Sequence, residues 1–113
     1  MRKETIKTVP KLWGKEEWLI NSDRYCSKLL HINRGARSSY HYHKKKEETF
    51  YGLIGDVFLM VEGRNYILNS SARPITIEAG DKHSIQGMTG AVILEVSTQH
   101  DDSDTYRLEE SKA

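Results

Sequence analysis

The sequence has a single cysteine, no long apolar run and no excess of charge of either sign. The lone Cys26 excludes an intramolecular disulfide and fits a reducing compartment. No apolar stretch approaches the roughly 20 residues of a transmembrane helix, and residues 1–18 lack the apolar centre of a signal peptide. We therefore expect a cytoplasmic protein that does not associate with a membrane.

Charge is almost balanced, with 17 lysines and arginines against 16 acidic residues and a net charge of +1. Such a chain has no overall field that would attract nucleic acid or an anionic membrane. Its 113 residues are typical of one domain and long enough to bury a small core without disulfides. We predict a single domain over 1–113 that does not bind nucleic acid.

A convincing helical pattern is also absent, and the chain instead shows short apolar segments separated by turn residues. The predicted strands cover residues 25–32, 38–43, 49–54, 57–61, 66–68, 74–77, 83–86 and 91–97. Many short strands with regular turn signals favour an all-β sandwich or barrel. We expect a core over 25–98, an N-terminal arm over 1–24 and a solvated or subunit-covering tail over 99–113.

Two histidines in one predicted strand indicate a metal site. His41 and His43 alternate with a tyrosine, so both imidazoles point to the same face with Cα atoms about 6.6 Å apart. A carboxylate follows at Glu48 or at Glu47, the less favoured of the two, and His83 can close the set from another strand. Three imidazoles and one carboxylate suit one divalent transition metal: Mn, Fe, Ni, Co, Cu or Zn.

The same spacing is a family signature. Five residues separate Gly35 from His41, four separate His43 from Glu48, and six separate Glu48 from Gly55. This matches in full the first motif of the cupin superfamily, which the chain resembles over about residues 25–98. The resemblance implies a cupin barrel, a jelly-roll-like double-stranded β-helix, and it favours Glu48 over Glu47 as the ligand.

The second cupin motif is only partly present. Gly80 and His83 fit it, whereas Glu78 stands where proline is usual and Gly87 replaces an asparagine. The histidine ligand is nevertheless kept. The resemblance therefore implies one metal held by His41, His43, Glu48 and His83.

Three segments, 25–31, 41–51 and 95–108, resemble more closely the small cupins grouped with D-lyxose isomerase and mannose-6-phosphate-isomerase-type proteins. This resemblance implies aldose–ketose isomerisation of a sugar or sugar phosphate, and a homodimer in which the tryptophan-bearing segment 13–20 is a plausible interface. Two alternatives stay open: a metal-dependent dioxygenase, and a non-catalytic module that binds metal and sugar.

Proton transfer at such a site needs a base near the metal. Lys28 and Glu95 are candidates, because each lies among apolar residues of a predicted strand and burying a charge unpaired is costly. Glu95 could instead pair with Lys28 or with an arginine. Tyr51 and Gln86 could donate hydrogen bonds to substrate hydroxyls. We expect the basic run 44–46 to be solvated, or else to steer an anionic substrate to the site.

Overall fold

The computed structural model describes all residues from Met1 to Ala113 and is built almost entirely of β-strands. There are eleven strands and one short 3₁₀ turn at Asp102–Asp104. The strands are β1 (Lys7–Lys11), β2 (Gly14–Asn21), β3 (Cys26–Ile32), β4 (Tyr40–His43), β5 (Glu48–Ile54), β6 (Val57–Val61), β7 (Arg64–Leu68), β8 (Ile75–Ile77), β9 (His83–Gly87), β10 (Ala91–Ser97) and β11 (Thr105–Glu109). No helix is long and apolar enough to cross a membrane.

The strands form two antiparallel sheets. One sheet has six strands in the order β1-β2-β3-β10-β5-β8, and the other has five in the order β11-β4-β9-β6-β7. Strand β1 and strand β11 each lie at an edge of their sheet. The prediction of an all-β fold is confirmed.

Strand β3 and strand β10 show why the interior divides into an apolar and a polar part. Both strands alternate buried and partly exposed residues, as expected for strands with one face on the core. Leu30 lies opposite Ile93 on the neighbouring strand and forms an apolar layer with it. Two residues along the same strands, Lys28 lies opposite Glu95. Strand β5 adds Glu48 to this polar part, opposite Ser97. The apolar layers hold the sheets together, and the polar layers form the wall of a cavity.

The hydrophobic core joins residues from both sheets. It contains Trp13, Leu30, Ile32, Ala36, Phe50, Val57, Leu59, Leu68, Ile77, Ile85, Ala91 and Ile93. Trp13 is buried in this core, and the Trp18 ring packs against Lys28 and His100 within the same chain. Both tryptophans of the N-terminal segment therefore have partners inside the chain.

The structure explains why two positions of the cupin-like motifs are occupied by glycine. Gly55 has a φ of +71° in the turn between β5 and β6, and a Cβ there would lie 2.4 Å from the Gly90 carbonyl oxygen. Gly87 stands where the second motif usually has asparagine, and a Cβ at this position would lie 2.6 Å from the Asn33 carbonyl oxygen. Close backbone approach thus explains the departure from the motif at Gly87.

The terminal segments differ from the expectation. Residues 7–11 and 14–21 form β1 and β2, which extend the six-stranded sheet through the pairing of β2 with β3. The tail supplies β11, which pairs with β4 and so lies beside two of the predicted ligands. These strands lacked a clear apolar alternation because they lie at or near sheet edges, where lysine and glutamate are common.

Candidate metal centre

Strands β4 and β9 bring the three predicted histidine ligands together. His41 lies directly opposite His83 in the antiparallel register, and His43 points to the same face two residues further along β4. One ring nitrogen from each histidine lies within 4.8 Å of those of the other two. This three-histidine group could hold a metal ion.

Backbone carbonyls fix the orientation of all three rings. In each histidine Nδ1–H donates to a carbonyl oxygen, which can only accept, so Nε2 is left with its lone pair. The bonds run from His41 to Ser39 at 2.8 Å, from His43 to Asp104 at 3.1 Å and from His83 to Asp81 at 2.9 Å. The three Nε2 atoms are thus the ligand atoms on offer.

Glu48, the first residue of β5, completes the set. Its Oε2 lies 3.0 Å from His43 Nε2 and 3.4 Å from His83 Nε2. Glu48 Oε2 and His83 Nε2 are both buried, yet neither makes a well-directed hydrogen bond. Two ligand atoms at right angles around an ion, each about 2.1 Å from it, lie roughly 3 Å apart. The donor set and these unsatisfied atoms fit a divalent transition metal.

Metal binding requires neutral imidazole and ionised carboxylate, and His41 and Glu48 are in these states. Burial, with the nearby rings of His83 and His43, lowers the pKa of His41 to about 3. Burial acts to raise the pKa of Glu48, but its contacts with His43 and His83 and the charge of Lys46 outweigh this, so the pKa lies well below 4.5. His41 is therefore neutral and Glu48 ionised at neutral pH. Burial acts to lower the pKa of His83, but its contact with Glu48 outweighs this and raises the pKa, so an ion would take the place of a proton there.

The four residues lie on the wall of a cavity of about 120 Å³ between the two sheets. This is room for several waters or part of a small organic ligand. Lys28 and Glu95, the predicted catalytic residues, line the same cavity. The lining also includes hydroxyl groups and an apolar patch: Ser38, Ser39, Thr105, Ser111, Trp13, Leu30, Phe50 and Ile85.

Known structures share this arrangement of sheets. CapF from Staphylococcus aureus, a capsular polysaccharide assembling protein, superposes with a TM-score of 0.80 at 21% identity over 93% of this chain. KdgF from Halomonas sp. gives 0.71 at 13% identity over 79% of this chain, and oxalate decarboxylase from Bacillus subtilis gives 0.72 at 21% over 91%. These proteins are cupin β-barrels.

The chain has the cupin fold. The match spans 34% of the CapF chain and 30% of the oxalate decarboxylase chain, but 81% of the KdgF chain. No model of a known protein family and no curated protein sequence matches this chain.

Lys46 is a residue of the cupin cavity that the sequence did not single out. The expectation that the whole run 44–46 is solvated is wrong here, since Lys46 is only 3% exposed. Its ammonium lies 2.7 Å from Glu95 Oε2 and 3.9 Å from Glu48 Oε1. Lys46 precedes Glu48 by two residues, and the spacing of side chains on one strand face could have indicated that both point inward.

Glu95 therefore pairs with Lys46, and not with Lys28 or an arginine as its sequence context suggested. Its Oε2 also accepts a hydrogen bond from Ser97 Oγ at 3.0 Å. Burial lowers the pKa of Lys46, but the charges of Glu95 and Glu48 raise it more, so Lys46 stays protonated. Oε1 of Glu95 accepts no hydrogen bond from the chain and is left for a ligand.

Lys28 is the most deeply buried cation of the cavity, at 1% exposure. Its ammonium lies 3.4 Å from Glu16 Oε1 and 4.1 Å from the centre of the Trp18 ring. A lysine has three N–H donors, and one long contact leaves donors free. Lys28 can thus donate a hydrogen bond to a ligand in the cavity.

The tail contributes His100 and Asp102 to the lining. His100 Nδ1 accepts from the Lys46 ammonium at 3.0 Å, and Nε2–H donates to Asp102 Oδ1 at 2.8 Å. Burial first, and then the charges of Lys46 and Lys28, lower the pKa of His100 to about 4. The imidazole is therefore neutral, and this part of the tail belongs to the site.

Tyr51 and Gln86 do not line the cavity. The Tyr51 hydroxyl donates to the Ser70 carbonyl at 2.9 Å, and Gln86 is exposed on the outer face of its sheet. Each lies one residue from an inward-facing neighbour, Phe50 or Ile85, and adjacent strand residues point to opposite faces. Their positions give no support to the prediction that they bind substrate.

Proposed function

We propose that the chain is a divalent-metal-dependent isomerase that interconverts the aldose and ketose forms of a small sugar or sugar derivative. The observation that carries this proposal is the placement of ligands and ionisable groups. The three Nε2 atoms and the Glu48 carboxylate converge on one wall of a cavity that also contains Lys28 and Glu95.

The ligand residues have a defined task. His41, His43, His83 and Glu48 would hold the ion, with one or two positions open if it is five- or six-coordinate. A divalent cation supplies Lewis acidity, which polarises a carbonyl and stabilises the charge that develops on its oxygen.

Glu95 is the proposed base. Its free Oε1 would take the proton from the carbon beside the carbonyl and return it to the former carbonyl carbon. Lys46 and Ser97 hold Oε2 and so fix the orientation of the carboxylate. Lys28 would donate a hydrogen bond to a substrate oxygen while the hydroxyl proton moves between the two oxygens.

The lining favours a carbohydrate. Hydroxyl groups of Ser39, Thr105 and Ser111 can exchange hydrogen bonds with sugar hydroxyls, and the aromatic rings of Trp13 and Phe50 offer an apolar wall. CapF, whose cupin part matches this chain, is a capsular polysaccharide assembling protein, which supports the same class of ligand.

The test combines metal analysis with a screen for interconversion of pentoses and hexoses in added Mn²⁺. We expect about one equivalent of metal and turnover that Glu95→Gln reduces by roughly 100-fold or more, the usual contribution of general base catalysis. The matched control is Glu110→Gln, a change at an exposed residue that does not line the cavity. Metal without turnover of any sugar would contradict the isomerase proposal.

The same purified protein separates the two alternatives. Open positions on the ion could also take oxygen, so uptake of O₂ by the iron-loaded protein would favour a dioxygenase. Sugars that raise the melting temperature without being converted would favour a binding module. The ion pair of Glu95 with Lys46 is compatible with that module, because a purely structural pair would look the same.

We also propose that the chain acts as a cytoplasmic homodimer. The buried free thiol of Cys26 is consistent with a reducing compartment. Since both tryptophans of the N-terminal segment pack within the chain, an interface there would use its exposed residues instead. The mass in solution tests the proposal, and a monomer at working concentration would contradict it.

A further inference from the structure

Two cationic side chains at the cavity make no ion pair within the chain. Lys11 ends β1, Arg107 lies on β11, and both line the cavity. The other two cations of the lining each have a carboxylate partner, at 3.4 Å from Lys28 and 2.7 Å from Lys46. Lys11 and Arg107 have none, so their donors are available to a ligand.

Both cations lie where a ligand would enter. Each belongs to an edge strand, Lys11 is partly exposed and Arg107 is exposed. Arg107 is the cross-strand partner of His41, so the two side chains share one face of the sheet. A ligand bound at the three histidines would therefore lie close to the Arg107 guanidinium.

The charges of the cavity lining indicate the sign of the charge that the ligand carries. Four cationic side chains, Lys11, Lys28, Lys46 and Arg107, balance four acidic ones, Glu16, Glu48, Glu95 and Asp102. A divalent cation would add two positive charges to this balanced set. Because charges interact strongly in a narrow cavity with low-dielectric walls, such a site favours an anion over a neutral molecule.

We propose that the substrate carries an anionic group, a carboxylate or a phosphate, and that Arg107 holds this group at the opening with help from Lys11. Both groups present oxygen pairs that the planar guanidinium fork can bind through two hydrogen bonds. The inference deepens the proposed function and rests on it for the hydroxy-carbonyl part of the substrate. Arg107 is then a specificity-determining residue.

Three probes with one carbon skeleton test the inference by calorimetry on the Mn²⁺-loaded protein: glucose, glucuronate and glucose 6-phosphate. We expect at least one anionic probe to bind roughly tenfold more tightly than glucose, with an affinity that falls as salt rises. Whichever anion binds more tightly identifies the preferred group, carboxylate for glucuronate or phosphate for glucose 6-phosphate. Arg107→Gln should remove the tenfold preference for the anionic probe over glucose.

The matched control is Arg64→Gln, which alters an exposed arginine of β7 that makes no ion pair. Arg107→Lys keeps the charge but loses the fork, so it should retain only part of the preference. Metal content and melting temperature of each variant check that the fold is intact. Three results would overturn the inference. These are equal binding of glucose and both anions, no binding of either anion, and a preference for the anion that remains in Arg107→Gln.

The outcomes for the two proposals are distinguishable. Anion binding through Arg107 without interconversion of any sugar would leave the anion site standing and remove the isomerase. Turnover of neutral sugars, together with anionic probes that bind no more tightly than glucose, would support the isomerase and remove the anion site.

Discussion

Lys46 belongs to a run of three lysines, yet its environment differs completely from that of its neighbours. Lys44 and Lys45 are exposed, whereas the Lys46 ammonium lies between two buried carboxylates. Removing one partner of a buried ion pair leaves an uncompensated charge, which costs more than the pair itself contributes. The consequence can be measured directly.

Lys46→Met should lower the free energy of unfolding by about 3–5 kcal/mol, because it leaves Glu95 buried without its cation. Adding Glu95→Gln to this variant should recover much of the loss. Urea denaturation of the single and double variants measures both effects. Lys45→Met, one residue away and exposed, should stay within about 0.5 kcal/mol of the wild type; a loss as large as that of Lys46→Met would contradict the assignment.

His43→Ala should reduce bound metal from about one equivalent to nearly none, since it removes a ligand whose Nε2 lies 3.0 Å from Glu48. Elemental analysis of the purified protein gives the result. His31→Ala is the control, because His31 contacts Glu17 outside the cavity. Unchanged metal content in His43→Ala would remove the site assignment.

At the scale of elements, the tail connects to the ligand strand through one carboxylate. Asp104 accepts hydrogen bonds from the backbone N–H groups of Lys44, Lys45 and Lys46, and its carbonyl accepts from His43. The loop between β4 and β5 is thus anchored to the segment that precedes β11. Both the loop and the ligand depend on this anchor.

Asp104→Ala should destabilise the chain by about 1–3 kcal/mol, because the backbone donors of the loop lose their acceptor. We also expect weaker metal binding, since the loop joins His43 to Glu48. Chemical denaturation and metal titration provide the two measurements. Asp23→Ala, at an exposed loop residue, serves as the comparison and should have little effect on either.

Glu16 on β2 makes part of the stability depend on pH. Burial acts to raise its pKa, but the charges of Lys28 and Lys11 and the hydrogen bond from Trp18 prevail, so the pKa lies below 4.5. A carboxyl whose pKa is lowered on folding stabilises the protein above its unfolded pKa and loses this contribution as the pH falls through the folded pKa.

The difference in unfolding free energy between wild type and Glu16→Gln should therefore be constant above about pH 5.5 and should shrink as the pH falls below 4.5. Urea unfolding from pH 3 to 6 measures it, with Glu110→Gln as the exposed control. A difference in unfolding free energy that grows as the pH falls would show that folding does not lower the pKa of Glu16.

The strands and the tail also show which parts of the site could be predicted from the sequence. The histidine pair, Glu48 and His83 could be found because strand alternation and motif spacing are local patterns. The contributions of His100 and Asp104 could not, since they depend on how a polar tail folds back over a strand 60 residues away in the chain. Tyr51 and Gln86 each lie one residue away from an inward-facing position, and a strand pattern shifted by one residue exchanges the two faces.

At the scale of the whole molecule, metal binding and folding are coupled. An ion that binds only the folded chain stabilises it by about 2.7 kcal/mol at a free concentration of 100 times Kd. For a domain of this size we expect chelation to lower the melting temperature by on the order of 10 °C, and Mn²⁺ to restore it. Calorimetry in EDTA and in Mn²⁺ tests this, and His43→Ala should respond to neither.

The change from apolar to polar layers along β3, β5 and β10 has a consequence for how this protein can diversify. Packing rests on one set of inward positions, such as Leu30 and Ile93, and chemistry on another, such as Lys28 and Glu95, two residues along the same strands. Substitutions in the second set can alter ligand preference while the packed layers continue to specify the architecture. The strands act as a shared frame on which new specificities can be selected, provided that the partners of a buried ion pair are exchanged together.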